Sequence, residues 1–343
     1  MLEKIERIDK APAYKITPRN ADGSWRWKPI LWKNQEGMDS VSKRISLPKR
    51  TMCLRCHAGS GGGPNFQRGD IEYTLHDCKA DFDVHMGTNG GNMQCIACHR
   101  GEDHHLRGRG ADLSASDDPQ QPLSCDNSAC HGKAPHLAAV LNYHAKRVYC
   151  TVCHIPEFAK KDPTDMFRDW SKPHYSAQKD KYGPTIKFEK DVTPVYAWFN
   201  GKTWVQLPGK PVRRLADGSV AMMLPQGSRS DPNARIYAFK VHRAEMPVLK
   251  KKKWIVPIVV EEFFANGKID EAVRSAAQKM YGIQDAQYTW TRTTRYMGIF
   301  HEVQPAAKAL TCLQCHGPKG RLDWKALGYQ GDPMDKLFQS RTN

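Results

Sequence analysis

Cys53-Leu-Arg-Cys56-His57 opens a pattern that recurs at Cys95-Ile-Ala-Cys98-His99, Cys150-Thr-Val-Cys153-His154 and Cys312-Leu-Gln-Cys315-His316. Cys125-Asp-Asn-Ser-Ala-Cys130-His131 repeats it with four residues between the cysteines. C-x-x-C-H is the attachment signature of a c-type haem. The two thiols form thioethers to the porphyrin edge, and the next histidine turns its imidazole onto the iron. A four-residue spacer can loop out and still deliver both sulfurs. One such motif alone would also fit half a zinc site or a redox dithiol. Zinc knuckles do not need a histidine after every pair, and a disulfide scaffold needs none. Here all five cysteine pairs carry one, so the sequence predicts five covalently bound haem c groups. The leftover Cys78 reads as a small buried hydrophobe.

His57, His99, His131, His154 and His316 are proximal by position, which leaves nine of the fourteen histidines. A low-spin electron-transfer haem takes a second strong axial ligand, histidine or methionine. The methionines show no spacing that marks a ligand. Distal candidates are therefore the histidines nearest the motifs. These are His85 in Asp83-Val-His-Met-Gly, His104 in Glu102-Asp-His-His with His105 behind it, and His136 in Ala134-Pro-His. His144 in Leu141-Asn-Tyr-His and His301, shortly before the fifth motif, complete the set. His76, His174 and His242 read as ordinary core or surface histidines. Five distal ligands would leave four histidines spare.

Outward from the motifs, the chain divides into an extended basic arm (1–50), a four-haem cluster (51–160), a cysteine-free insertion (161–300), and the fifth haem with its tail (301–343). Gly59-Ser-Gly-Gly-Gly-Pro64 reads as tight turns; without a following Lys-Ser/Thr it is no phosphate loop. Residues 107–124 read as a surface loop. Helical spacing from about 136 to 147 suggests one helix presenting a ligand. Turn signals at Asn200-Gly, Asp217-Gly and Asp231-Pro, between short aromatic or β-branched runs, predict hairpins, followed by a helix over about 268–281. The fold class expected is a multihaem cytochrome c. Mainly irregular and α-helical chain would surround a haem stack, with a small β-hairpin-rich insertion.

The 343 residues carry a net charge of +16 and are 40% hydrophobic. Lys250-Lys-Lys-Lys253 invites a nucleic-acid reading, but haem argues against it. Five haems bring about ten propionates, partly offset by the ferric cores, and these absorb much of the excess. No nucleic-acid partner is expected. The longest apolar run, Trp254–Val260, contains Pro257. A membrane span needs roughly 20 residues, so no transmembrane segment is expected. Haem c is attached outside the cytoplasm, which points to the periplasm or beyond, although no signal peptide is visible in this sequence.

Several stretches carry a family resemblance. Cys53-Leu-Arg-Cys-His-Ala-Gly-Ser-Gly-Gly-Gly-Pro-Asn-Phe-Gln-Arg-Gly-Asp70, Asp83-Val-His-Met-Gly, Leu141-Asn-Tyr-His, Cys150-Thr-Val-Cys-His-Ile-Pro156, Asp231-Pro-Asn-Ala-Arg-Ile-Tyr237 and Gly320-Arg-Leu-Asp-Trp-Lys-Ala-Leu-Gly-Tyr329 resemble the tetrathionate reductase family of octahaem c-type cytochromes. The resemblance spans roughly residues 40 to 335 and includes the cysteine-free region. It implies a periplasmic protein with mostly bis-histidine haems. In that family a lysine-ligated haem reduces tetrathionate, nitrite or hydroxylamine. This chain matches the C-terminal five-haem part only, so the catalytic assignment does not carry over. The expected function is electron transfer through closely packed haems between donor and acceptor proteins. A second multihaem subunit or copies of the chain itself are further candidate partners. The alternative is a reductase of tetrathionate, nitrite or hydroxylamine with one open or lysine-ligated haem.

Overall fold

The computed structural model describes residues 2–5, 13–16, 47–102, 105–106 and 123–335. Two compact units are distinguished, residues 1–48 and 49–343. In the first, β1 (Leu2–Ile5) pairs antiparallel with β2 (Ala13–Ile16). Apart from these strands and residues 47–50, the expected basic arm lies outside the described residues, as do most of the loop at 107–124 and residues 336–343.

In the second unit, four of the five motifs sit on short helices: α1 (Arg50–His57), α2 (Cys95–Cys98), α4 (Cys150–His154) and α7 (Cys312–Cys315). One helical turn puts the two cysteines of C-x-x-C on the same side, as neighbours three apart must be. The longer Cys125–His131 motif is built of turns instead. A 3-10 turn, Tyr73–His76, follows α1, and α3 (Ala139–Ala145) carries His144 within the span expected to be helical. The short antiparallel pair β3 (Gly101–Glu102) and β4 (His105–Leu106) follows α2.

The cysteine-free region is larger and less simple than a set of hairpins. It contains β5 (Thr164–Ser176), β6 (Lys181–Glu189), β7 (Val195–Phe199), β8 (Thr203–Val205), β9 (Val220–Pro225), β10 (Arg235–Leu249) and β11 (Tyr288–Gly298). All seven join one mixed sheet in the order β6-β5-β10-β11-β9-β8, with β7 also on β10. The Asn200-Gly201 turn exists, but the strands it joins do not pair: β7 goes to β10 and β8 to β9. β10 runs parallel to β5, and β11 parallel to β9. Turn residues mark where strands end, whereas parallel pairing is set by crossovers that leave no local signature. The expectation of a small hairpin insertion is corrected accordingly.

Between β10 and β11 lie α5 (Val260–Asn266) and α6 (Ile269–Tyr281), the second within the helix expected at 268–281. Val273, Ala276 and Ala277 form its buried stripe against Leu249 and Val256. Gly282 ends it in the left-handed conformation that favours glycine.

Strand β10 docks the motifs onto the sheet. Tyr149 N–H donates to the Ile236 carbonyl and Ile236 N–H to the Arg147 carbonyl, both at 2.8 Å, just ahead of α4. Tyr149 stacks on Tyr237 with ring centroids 4.1 Å apart. Val152, Ile155 and Phe158 enter one core with Trp198, Ile236, Ala238 and Ile299. Gly69 passes over the Phe158 ring with φ of 84°, where a β-carbon would lie 2.8 Å from ring carbons. Only glycine suits that crossing.

Candidate functional site

Beyond β11, the chain from Ile299 to Leu310 threads between the motifs. Val84 N–H donates to Val303, Gln304 N–H to the His154 carbonyl, and Leu310 N–H to the Cys153 carbonyl. Asp83, buried, accepts the N–H groups of His85 and Met86 on one oxygen and of Glu302 and Val303 on the other. One carboxylate thus fixes the His85 and His301 segments together.

Four motif histidines each face a second imidazole. Ring centroids are 5.9 Å apart for His85 and His131, 6.2 Å for His99 and His301, 6.2 Å for His136 and His154, and 6.3 Å for His144 and His316. Two imidazoles on opposite sides of one metal, each bound through nitrogen at about 2 Å, put their centroids about 6 Å apart. Among the described residues no three His, Cys, Asp or Glu side chains converge to hold a metal by themselves. Paired imidazoles therefore fit a metal whose other ligands come with it, which is the donor set of haem iron. Trp324 stacks on His316 at 5.0 Å, and its buried Nε1 has no protein acceptor.

The ring orientations are set by acceptors at Nδ1. His301 meets Asp70 at 3.2 Å, His316 meets Asp332 at 2.6 Å, His144 meets the Val140 carbonyl at 2.8 Å, and His136 meets Asn142 at 3.3 Å. Nε2 is then the nitrogen left to ligate, and the partner at Nδ1 raises its basicity. Burial would raise Asp70, but the Arg68 guanidinium, His301 and the Phe300 N–H hold it well below the usual carboxylate range. Burial pushes His85 and His154 down, towards the neutral imidazole that a metal takes. Val140 and Asn142 lie four and six residues from the rings they meet, whereas Asp70 reaches His301 across 231 residues and nothing in the sequence marks it.

The motif cysteines meet end to end. Cys95 lies beside Cys53, and Cys150 beside Cys125, close enough to shift each other's ionisation. Cys98 lies near Cys130 and Cys125, and Cys153 near Cys315 and Cys312. The motifs therefore form one row in chain order.

Of the other histidines, His242 is tied to Asp165 at 3.2 Å. His174 and His76 are exposed. His104 lies outside the described residues, and of His105 only the backbone is described. Cys78 is buried with Leu54, Ala58 and Leu75. Among the described residues no imidazole faces His57 as the other four are faced.

Residues 154–319 match the family described as bacterial cytochrome c. The fold matches the crystal structure of octaheme cytochrome c from Shewanella oneidensis with a TM-score of 0.73 and 30% identity, covering 88% of this chain and 71% of that one. This chain belongs to the multihaem c-type cytochromes. The cytochrome binds haem c covalently. Over 87 residues it is also 36% identical to an uncharacterized protein of Archaeoglobus fulgidus, a stretch of 25% of this chain and 28% of that relative. Among the described residues no helix is long and apolar enough to cross a membrane.

Proposed function

We propose that the cytochrome is a five-haem electron conductor, with attachment at Cys53/Cys56, Cys95/Cys98, Cys125/Cys130, Cys150/Cys153 and Cys312/Cys315. The four facing imidazole pairs, 5.9–6.3 Å apart, carry this reading. Haem iron supplies reversible one-electron exchange. His131, His99, His154 and His316 serve as proximal ligands opposite His85, His301, His136 and His144, and His57 as the fifth proximal ligand. With both axial directions filled by the chain, four sites are closed to substrates and suited to passing electrons. The row of cysteines supports transfer from site to site in chain order. Donor and acceptor proteins would exchange electrons with the row, in the periplasm or outside the cell, where haem c is attached. Residues 51–160 hold four sites, 161–300 the supporting sheet and helices, and 301–343 the fifth site. The +16 charge balances propionates, and nucleic acid has no part in this reading.

A second reading rests on His57, which no imidazole faces among the described residues. A reductase of tetrathionate, nitrite or hydroxylamine, as the octahaem resemblance suggests, would use an exchangeable position there. Intact mass and electron paramagnetic resonance of the oxidised protein separate the two. Five haems and low-spin signals unmoved by the three compounds support the conductor. A high-spin signal that shifts with one of them would make the reductase the better reading.

A further inference from the structure

His76 has the features of a distal ligand without an iron to bind. Its Nδ1 meets the Tyr73 carbonyl at 2.8 Å. His144 is held the same way, by the Val140 carbonyl at 2.8 Å, and faces the motif histidine His316. The Tyr73 ring braces His76 at 4.8 Å, as Tyr143 flanks His144 at 6.4 Å. His76 and His57 are both exposed, and among the described residues no motif histidine faces His76 and no imidazole faces His57. Among the described residues, His76 is thus a spare ligand and His57 a motif histidine in need of one.

Their placement says how the two could meet. His57 adjoins Ala58 and His76 adjoins Leu75, and both neighbours are buried in one small core with Leu54 and Cys78. Arg50, buried, donates to the carbonyls of Leu75 and His76 and locks the 3-10 turn to α1. The two imidazoles therefore leave the same rigid substructure. Exposed Met52 and Tyr73 supply apolar surface on these two elements. Donor and acceptor on one patch suit an isologous pairing, in which residue i meets j and j meets i about a two-fold axis.

We infer that two copies of the cytochrome pair through this patch, His76 of each supplying the second axial ligand to the haem held by His57 of the other. The inference rests on the five-haem reading above. Cys53 meets Cys95 of the second motif, so the first motif ends the row, and pairing joins two rows end to end.

Light scattering, intact mass and electron paramagnetic resonance on the haem-loaded full chain test this, using wild type, His76→Ala and a His174→Ala control. Wild type and control should be dimers with low-spin irons only. His76→Ala should be monomeric, keep its full haem mass, and gain a high-spin ferric signal equal to one haem per chain. Added imidazole should return that signal to low spin while the protein stays monomeric, which separates lost ligation from misfolding. A His76→Ala protein with wild-type mass and spin state would overturn the inference, as would a monomeric or open-ended polymeric wild type. A haem mass short of five per chain would instead count against the five-haem reading.

Discussion

The Asp70 carboxylate lies 3.2 Å from Nδ1 of His301 and also accepts the Phe300 and His301 N–H groups, while Arg68 closes its other oxygen. A buried anion thus holds the imidazole that faces His99. Its negative charge strengthens the ring as a donor and favours ferric iron. Asp70→Asn should raise the potential of the second-motif haem, by about 60 mV for a tenfold loss of ferric preference in a one-electron couple. Potentiometric titration of the variant reads this shift, and the other haem potentials should move less.

Four histidines should behave alike under substitution and one should not. His85→Ala, His136→Ala, His144→Ala and His301→Ala are each expected to turn one low-spin ferric signal high-spin. His242→Ala, whose ring is engaged with Asp165, should leave the spin state untouched. Low-temperature resonance spectra of the five variants decide the matter.

Lys240 is fully buried, and its Nζ donates to the Phe66 and Gln67 carbonyls at 3.0 Å and to Thr164 at 2.6 Å. Burial pulls its pKa down to about 7. An unfolded lysine titrates near about 10.4, so between these values the unfolded chain binds more protons and stability rises with pH. The full cost of the buried charge is met below pH 7. Lys240→Met should flatten the curve, removing a rise on the order of a few kcal/mol across that window. Denaturant midpoints of wild type and variant at pH 7 and pH 10 measure the difference.

Arg235 joins the start of β10 to the third motif, donating to Asp126 at 3.0 Å and lying 4.7 Å over the Tyr149 ring. Arg235→Leu keeps much of the apolar stem but removes the charge-assisted bond, for a loss of about 1.5–3 kcal/mol. Lys133, which also meets Asp126, is exposed and replaces little of it. Equilibrium denaturation followed by circular dichroism checks the figure.

Much of the molecule was legible from residue spacing, and the limit of that legibility is physical. C-x-x-C-H declares itself because its chemistry is local, and α6 because its apolar stripe and capping glycine are local too. The parallel pairing of Arg243 with Phe167 was invisible, since crossovers set it and turn residues do not. Which imidazole faces which was equally hidden: proximity in sequence singled out His301, but nothing in the sequence puts it opposite His99. The acceptor Asp70 reaches His301 only through tertiary structure. His76 reads as ordinary because what distinguishes it, a carbonyl at Nδ1 of an exposed residue, is a matter of geometry.

The facing pairs also impose a timetable. His85, His136 and His144 are synthesised before the motif histidines they face, so each of those three sites finds its second ring already present as the chain emerges. The His99 site runs the other way. His301 lies just beyond β11, which must first find its place beside β10 and β9. Contacts that span so much chain form late and slowly, because loop closure comes before any reward. The second site, like the His144–His316 site whose rings also flank the sheet-forming stretch, therefore closes only when the whole sheet has been laid down.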